Sequence, residues 1–141
     1  FAVMSHTNGI YGVQAAVEAD VDSLEHGNYM DKETIEMLAE SDTVWVPTLV
    51  TIRNLWDCGR YEEQVLKPII EISERNLRMA WNYKAKVALG SDAGAYMVPH
   101  GIGLLNEYQA VTDILGESKD VISWLKAGEK KIQDTFKRPE S

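Results

Sequence analysis

The chain has 141 residues, with 14 basic and 22 acidic side chains and a net charge of -8. This length suits one domain, and a composition of 45% hydrophobic and 26% charged residues excludes wholesale disorder. The acidic balance repels phosphate backbones, so no nucleic-acid partner is expected. No run of about 18 apolar residues is present, so no membrane span is expected either.

The cysteine content and the first residues predict the setting of the chain. Its single cysteine, Cys58, cannot form an internal disulfide, which is typical of a cytoplasmic protein. The chain opens on Phe-Ala-Val-Met, without a basic segment followed by an apolar one. We therefore expect no signal peptide and a fragment that begins inside a strand.

The first half of the chain alternates short apolar runs with helical periodicity. Asp31 is a candidate N-cap, and Pro47 ends the third apolar run. The predicted elements are a strand over 1–4, a helix over 10–19, a strand over 21–24, a helix over 32–40 and a strand over 44–46.

The second half continues the same alternation after an irregular segment that begins at Thr48. A helix is predicted over about 62–84, and Pro68 either starts it or kinks it. A fourth strand is predicted over 86–89, closed by Gly90-Ser91-Asp92-Ala93-Gly94. Residues 102–136 predict two or three further helices.

Alternation of strands and helices is typical of parallel βαβ units, so the predicted fold class is α/β in one unit over 1–141. The strands are short and apolar, as expected of strands covered on both faces. Four βα units are half of an eight-unit barrel, which needs about 250 residues. The chain is therefore either a small open α/β sheet or half of a larger barrel.

Three predicted strands end in side chains that can bind a metal, namely His6, His26 and Asp92. The carboxyl ends of parallel strands lie on one side of the sheet, so these residues can meet in space. Two imidazoles and a carboxylate suit zinc or another divalent ion. Such an ion lowers the pKa of bound water to about 7, and Asp92 could move the proton.

Each of these residues also has an ordinary interpretation. A lone histidine is more often structural or surface-exposed than a ligand, and an aspartate between Gly-Ser and Ala-Gly is often a turn residue. The coincidence of His6, His26 and Asp92 at successive strand ends favours a site.

Four segments carry a resemblance to a known family. They are Ser-His-Thr-Asn-Gly (5–9), Asp-Ser-Leu-Glu-His-Gly (22–27), Val-Pro-Thr-Leu (46–49) and Leu-Gly-Ser-Asp-Ala-Gly (89–94). In order and spacing they resemble strands five to eight of the amidohydrolase superfamily, nearest to its imidazolonepropionase-like and Xaa-Pro dipeptidase-like branch. The resemblance covers about residues 1–115, and residues 116–141 are expected to form additional C-terminal helices.

The resemblance implies half of a (β/α)8 TIM barrel and a metal-dependent hydrolase of C–N bonds in an amide, cyclic amide or peptide. It implies His6, His26 and Asp92 as ligands of one or two divalent ions, with zinc the expected metal, and Asp92 as general base and proton shuttle. The implied substrate is a small molecule or is dipeptide-like. His100 resembles a segment that lines the substrate pocket, or it caps the following helix.

The chain also departs from the family. The family's first-strand His-X-His pair and its strand-four region have no counterpart here, which puts the activity of the isolated chain in doubt. The alternative is a non-catalytic α/β remnant or self-assembling module that retains part of the metal site. An open-sheet regulatory domain is a weaker alternative, because it gives no reason for the three strand-end residues to coincide.

Other side chains and the sheet edges complete the expectations. Trp56 and Tyr61 either cover a substrate or pack against outer helices, the latter being favoured. Glu25 is expected to point away from the ligand face, and Glu107 to be solvated or paired on a helix. Half a barrel exposes two sheet edges and an apolar face, which predicts an oligomer, by self-association or by pairing with the missing barrel half.

Overall fold

The computed structural model describes residues 1–137, and the last four residues of the predicted C-terminal region, 138–141, lie outside the described residues. The described chain is an α/β fold with a parallel three-stranded sheet and six helices. The strands are β1 (Met4–Thr7), β2 (Ser23–His26) and β3 (Val44–Val46). The helices are α1 (Ile10–Glu18), α2 (Lys32–Glu40), α3 (Val50–Arg53), α4 (Glu63–Tyr83), α5 (Ile102–Leu115) and α6 (Lys119–Thr135).

The strand register sorts side chains between the two faces of the sheet. The sheet order is β1-β2-β3, and Leu24 of β2 pairs with Trp45 of β3. Both side chains are buried in the main core with residues of the surrounding helices. Because side chains alternate along a strand, the neighbouring row, formed by His6, Glu25 and Val46, belongs to the opposite face.

The predicted fourth strand is present only as a single bridge, between Trp45 and Val87. The Trp45 N–H donates to the Lys86 oxygen at 2.8 Å, and the Ala88 N–H donates to the Trp45 oxygen at 3.0 Å. The next rung of a parallel ladder would need an N–H at Pro47, and proline has none. The fourth strand therefore stops at one rung.

Helices α1, α2 and α4 cover the Leu24–Trp45 face of the sheet. Helix α2 begins where predicted, because the Asp31 carboxylate accepts the Thr34 N–H at 2.9 Å and the Thr34 hydroxyl at 2.6 Å. Its buried side chains include Ile35 and Leu38, as the apolar spacing predicts.

Helix α4 runs through Pro68 instead of starting there. Pro68 is the sixth residue of the helix and is exposed. The carbonyl of Gln64, which would otherwise accept a hydrogen bond from residue 68, also lies at an exposed residue and can bind water. An early, solvent-facing position makes the proline tolerable.

Helix α6 packs against residues 86–88, the bridged segment. This edge of the sheet is therefore covered, whereas both edges were predicted to be exposed. Gly128 lies so close to it that an added Cβ would come within 1.9 Å of the Val87 oxygen. The Trp124 indole donates to the Ala85 oxygen at 2.8 Å. At the other edge, β1 has no second strand partner within residues 1–137, and Met4 is exposed.

The α/β class and the parallel order are confirmed, whereas closure into half a barrel stays a prediction. Throughout the part of the chain that the structure describes, no helix has both the length and the apolar character needed to cross a bilayer.

Candidate functional site

Two of the predicted metal ligands are in direct contact. His6 on β1 and His26 at the end of β2 place His6 Nδ1 2.7 Å from His26 Nε2. Their rings meet edge to face, with centroids 4.3 Å apart. Parallel pairing brings these residues together although they are 20 positions apart, because β1 and β2 are neighbours that end on the same side.

His26 is held by its main chain as well as by its ring. Its φ of 69° lies in the left-handed region, where a residue other than glycine is uncommon. The Trp45 indole donates to the His26 main-chain oxygen at 2.8 Å. The side chain is buried, and this burial lowers the pKa of the imidazole; His6 acts in the same direction and Asp92 opposes it.

Thr48, two residues after β3, fixes the other side of the His26 ring. The Thr48 Oγ1 lies 2.6 Å from His26 Nδ1, and Thr48 is buried. Its φ of 48° is also left-handed, which for a β-branched residue costs about 1–3 kcal/mol. With Nδ1 engaged by the hydroxyl, Nε2 is the nitrogen that His26 presents to His6.

A cavity of about 200 Å³ opens beside this histidine pair. It lies at the carboxyl ends of the strands and is lined by His6, Glu25, His26, Val46, Thr48, Gly90 and Asp92. Asp92 is exposed and has a left-handed φ of 54°. Gly90 permits the close approach of the Asp92 loop to β3, since a Cβ there would come within 2.4 Å of Val46 Cγ1.

Glu25 lines the cavity, contrary to the expectation that it points away. It pairs in register with His6 and Val46, so the three side chains share one face of the sheet. His26 reaches the same cavity because its left-handed backbone breaks the alternation. Burial raises the pKa of Glu25, the nearby Asp92 acts in the same direction, and the Ser23 hydroxyl, which donates to Glu25, lowers it. The pairing of Glu25 with His6 across the two strands places both side chains on the cavity face.

The remaining predicted site residues lie outside the cavity. His100 is exposed and lies beside the Asp92 loop, where a Cβ added at Gly94 would be 3.4 Å from His100 Nε2. Trp56 lies over α4, and the Tyr61 ring contacts the Arg60 guanidinium, whose carbon is 5.4 Å from the ring centroid.

Glu107 is wholly buried, so the expectation of a solvated or helix-paired glutamate was wrong. Its two carboxylate oxygens accept the main-chain N–H groups of Leu49 and Val50, each at 2.9 Å. Burial raises the pKa of Glu107 to about 7, while these N–H groups and Arg53 act in the opposite direction. A glutamate on an amphipathic helix gives no sequence signal for such a contact 57 residues away.

The spacing of the two histidine nitrogens is shorter than a divalent metal ion requires. Two nitrogens on one tetrahedral zinc ion, at about 2.0–2.1 Å each, lie about 3.3 Å apart. The observed 2.7 Å between His6 and His26 is shorter, so a separation of about 0.6 Å would admit the ion. Within residues 1–137 no three His, Cys, Asp or Glu side chains are grouped closely enough to hold a metal. The two imidazole nitrogens are donors of the type that zinc takes, whereas Asp92 lines the same cavity without being grouped with them as a third ligand.

Comparison with known proteins shows which solved structures share this fold. No family model matches the chain, and no curated protein matches it significantly. Solved structures do match, and these structural neighbours are amidohydrolase-family proteins that share the fold of this chain.

Three of these structures illustrate the likeness. A prolidase complexed with N-methylphosphonate-L-proline is 27% identical over 82% of this chain and 29% of its own, with a TM-score of 0.63. A Xaa-Pro dipeptidase with methionine bound in its active site is 24% identical over 92% of this chain and 35% of its own, with a TM-score of 0.64. The ochratoxinase of A. niger is 24% identical over 89% and 28%, with a TM-score of 0.71. The chain thus spans about a third of the length of these proteins.

Proposed function

We propose that this chain is the part of a metal-dependent amidohydrolase that carries two histidine ligands and the catalytic aspartate. One observation carries the proposal: His6 Nδ1 and His26 Nε2 converge at 2.7 Å beside a cavity that Asp92 also lines. The likeness to a prolidase, a dipeptidase and an ochratoxinase supports a hydrolase of peptide or amide bonds.

The proposed roles follow from the chemistry of the side chains. A divalent ion, zinc in the first place, would supply a water of pKa about 7 and polarise a carbonyl oxygen. His6 and His26 would hold it through Nδ1 and Nε2. The Asp92 carboxylate would take a proton from the attacking water and deliver it to the leaving nitrogen. Glu25, half-buried in the same cavity, would orient polar atoms of the substrate.

The substrate class is proposed as a small amide or a dipeptide. A cavity of about 200 Å³ is small, and parts of the neighbouring proteins that the chain does not match would add to it. The substrate-binding role of His100 stays a prediction, since the side chain lies near the Asp92 loop but outside the cavity.

Zinc binding by the purified chain tests the proposal. We expect stoichiometric Zn²⁺ in competition with a chromophoric chelator, and loss of this binding in both His6→Ala and His26→Ala. His100→Ala is the matched control, because it removes the third histidine and leaves the cavity unchanged. Equal zinc affinity in wild type, His6→Ala and His26→Ala would refute the proposed metal site.

Hydrolysis is the second readout. In zinc-saturated protein, Asp92→Asn should lose cleavage of a proline-containing dipeptide by a factor of about 10² or more. A wild-type chain that binds zinc without turnover would identify the non-catalytic alternative.

Association is proposed separately. Strand β1 is an edge within the described residues; its first residue, Met4, and the preceding Val3 are both exposed. Unpaired strand edges of this kind recruit further strands. Size-exclusion chromatography with light scattering measures the solution mass of the purified chain. A monomer at all concentrations would contradict self-association.

A further inference from the structure

A buried carboxylate accepts hydrogen bonds from the main chain immediately after Thr48. Glu107 on α5 is fully buried, and its Oε1 and Oε2 accept the N–H groups of Leu49 and Val50. Both oxygens therefore accept hydrogen bonds from the same turn, whose residues lie 57 and 58 positions away in the sequence. A carboxylate used in this way fixes the position of that turn relative to α5.

The turn that Glu107 holds contains a strained residue. Thr48 has a φ of 48°, in the left-handed region that β-branched residues avoid. Strained backbone persists only where the surroundings determine it. Here the two residues that directly follow Thr48 donate their N–H groups to Glu107. The main-chain oxygen of Thr48 accepts the N–H of Thr51 at 3.0 Å and the hydroxyl of Thr51 at 2.8 Å.

The strained conformation has a direct effect on the histidine pair. It brings the Thr48 hydroxyl to 2.6 Å from His26 Nδ1, while His26 Nε2 faces His6 Nδ1. The hydrogen bond made by one imidazole nitrogen determines which tautomer and orientation the ring adopts, and hence which nitrogen can bind a metal.

We propose that Glu107 is a positioning residue for the candidate site, acting through the Thr48 turn to orient the His26 imidazole with Nε2 toward His6. As far as it concerns a metal, this inference rests on the proposed function. The orientation of His26 itself is a property of the metal-free chain and is measured without metal.

A purely structural role for Glu107 would look different. Its carboxylate also lies at the start of the short helix α3 and near Arg53, so it would stabilise the fold even if His26 were absent. Loss of stability alone therefore does not distinguish the two roles. The tautomer and the zinc affinity of His26 do.

The first experiment records the imidazole nitrogen shifts of His26 by ¹⁵N NMR in the full metal-free chain at pH 8. Wild type should hold one neutral tautomer, because the Thr48 hydroxyl engages Nδ1 alone. Thr48→Val should redistribute it, and Thr48→Ser, which keeps the hydroxyl, should restore it. Glu107→Gln should redistribute it as well, since an amide provides one acceptor instead of two for the Leu49 and Val50 N–H groups.

The second experiment is a double-mutant cycle with Zn²⁺ as the probe. Glu107→Gln and Thr48→Val should each weaken zinc binding by about 10- to 100-fold, the range typical of groups that orient metal ligands. Because the two act through one path, the double variant should be no weaker than the weaker single variant. Glu117→Gln, at an exposed carboxylate just after the same helix that accepts from the Tyr108 hydroxyl, is the matched control and should leave zinc affinity unchanged.

Several outcomes would overturn the proposal. They are an unchanged His26 tautomer in folded Glu107→Gln, or additive effects in the cycle. If Glu107→Gln fails to fold, Glu107→Asp, which keeps the charge and shortens the reach, must redistribute the tautomer, and an unchanged tautomer there has the same meaning. If wild type binds no zinc, the proposed function fails, while the tautomer measurement still decides the role of Glu107.

Discussion

The indole Nε1 of Trp45 donates a hydrogen bond of 2.8 Å to the main-chain oxygen of His26. The donor belongs to the buried face of β3 and the acceptor to a left-handed residue at the end of β2. A large core side chain therefore ties the hydrophobic interior to the conformation of a candidate ligand.

This hydrogen bond predicts the effect of Trp45→Phe. The substitution leaves the His26 oxygen without its donor and removes packed volume from the core, so we expect a loss of about 1–3 kcal/mol or more in the free energy of unfolding. Urea denaturation followed by circular dichroism measures it. Trp56→Phe, at a residue that is 37% exposed, should change stability by less than about 0.5 kcal/mol. Equal effects of the two substitutions would show that the indole donor is unimportant.

Gly128→Ala tests the contact between α6 and the bridged segment. The new Cβ would lie 1.9 Å from the Val87 oxygen, so the helix or the segment must move. We expect a loss of about 3 kcal/mol or more, measured by thermal unfolding. Ser123→Ala, at an exposed position of the same helix, is the control and should be close to neutral. A stable Gly128→Ala chain would mean that α6 does not pack on this edge.

Glu107 predicts a pH dependence of stability. Its pKa is raised in the folded chain from 4.5 to about 7, so between these values the folded state holds a proton that the unfolded state has released. This contribution to stability is fully present below about pH 4.5 and is lost as the pH rises through 7, amounting to at most about 3 kcal/mol.

Glu107→Gln isolates this effect, because glutamine does not titrate. The difference in unfolding free energy between wild type and variant should change by that amount between pH 4.5 and pH 8, in favour of the wild type at low pH. Glu25 also titrates, but it is common to both proteins and cancels in the difference. His26, whose ring Glu107 is proposed to orient, is removed from the difference by repeating the comparison in a His26→Ala background. Urea melts at each pH measure it, and a constant difference would contradict the raised pKa.

Asp31→Ala removes the cap of α2. The Asp31 carboxylate accepts two hydrogen bonds from Thr34, which also hold its pKa below the usual range. We expect a measurable loss of stability for Asp31→Ala at pH 7, and little loss for Asp31→Asn, which still caps. The effect should fade as the pH falls through the lowered pKa, since a protonated Asp31 is a poorer acceptor. Chemical denaturation of wild type and Asp31→Ala at pH 7 and at a series of acidic pH values measures this fading.

The sequence predicts local structure well and the environment of single side chains less well. The Asp31 cap, the helix over 32–40 and the strand over 44–46 follow from local chemistry, and the structure has them at these positions. The first two strands, predicted over 1–4 and 21–24, lie further along the chain, at Met4–Thr7 and Ser23–His26. The hydrogen bonds between neighbouring strands set these bounds, and apolar content does not. The fourth strand is reduced to one rung by Pro47, a limit visible only once the pairing partner is known.

The candidate site divides in the same way. His6 and His26 follow from the rule that parallel strands end on one side, and their contact agrees with it. Thr48 and Glu25 join them through left-handed backbone and cross-strand register, which no local pattern signals. Glu107 was missed because its partners are main-chain atoms of a distant turn, and main-chain atoms leave no trace in a sequence.

The long span between Glu107 and the turn after Thr48 has a consequence for the order of folding. The His6–His26 contact closes a loop of 20 residues, whereas the Glu107 contacts close loops of 57 and 58 residues. Closing the longer loop costs about 1 kcal/mol more in chain entropy. We therefore expect the two rings to meet early and to be oriented late, so that Glu107→Gln accelerates unfolding with little effect on the folding rate. Stopped-flow kinetics would show whether the two histidines meet before the hydrogen bonds of Glu107 form.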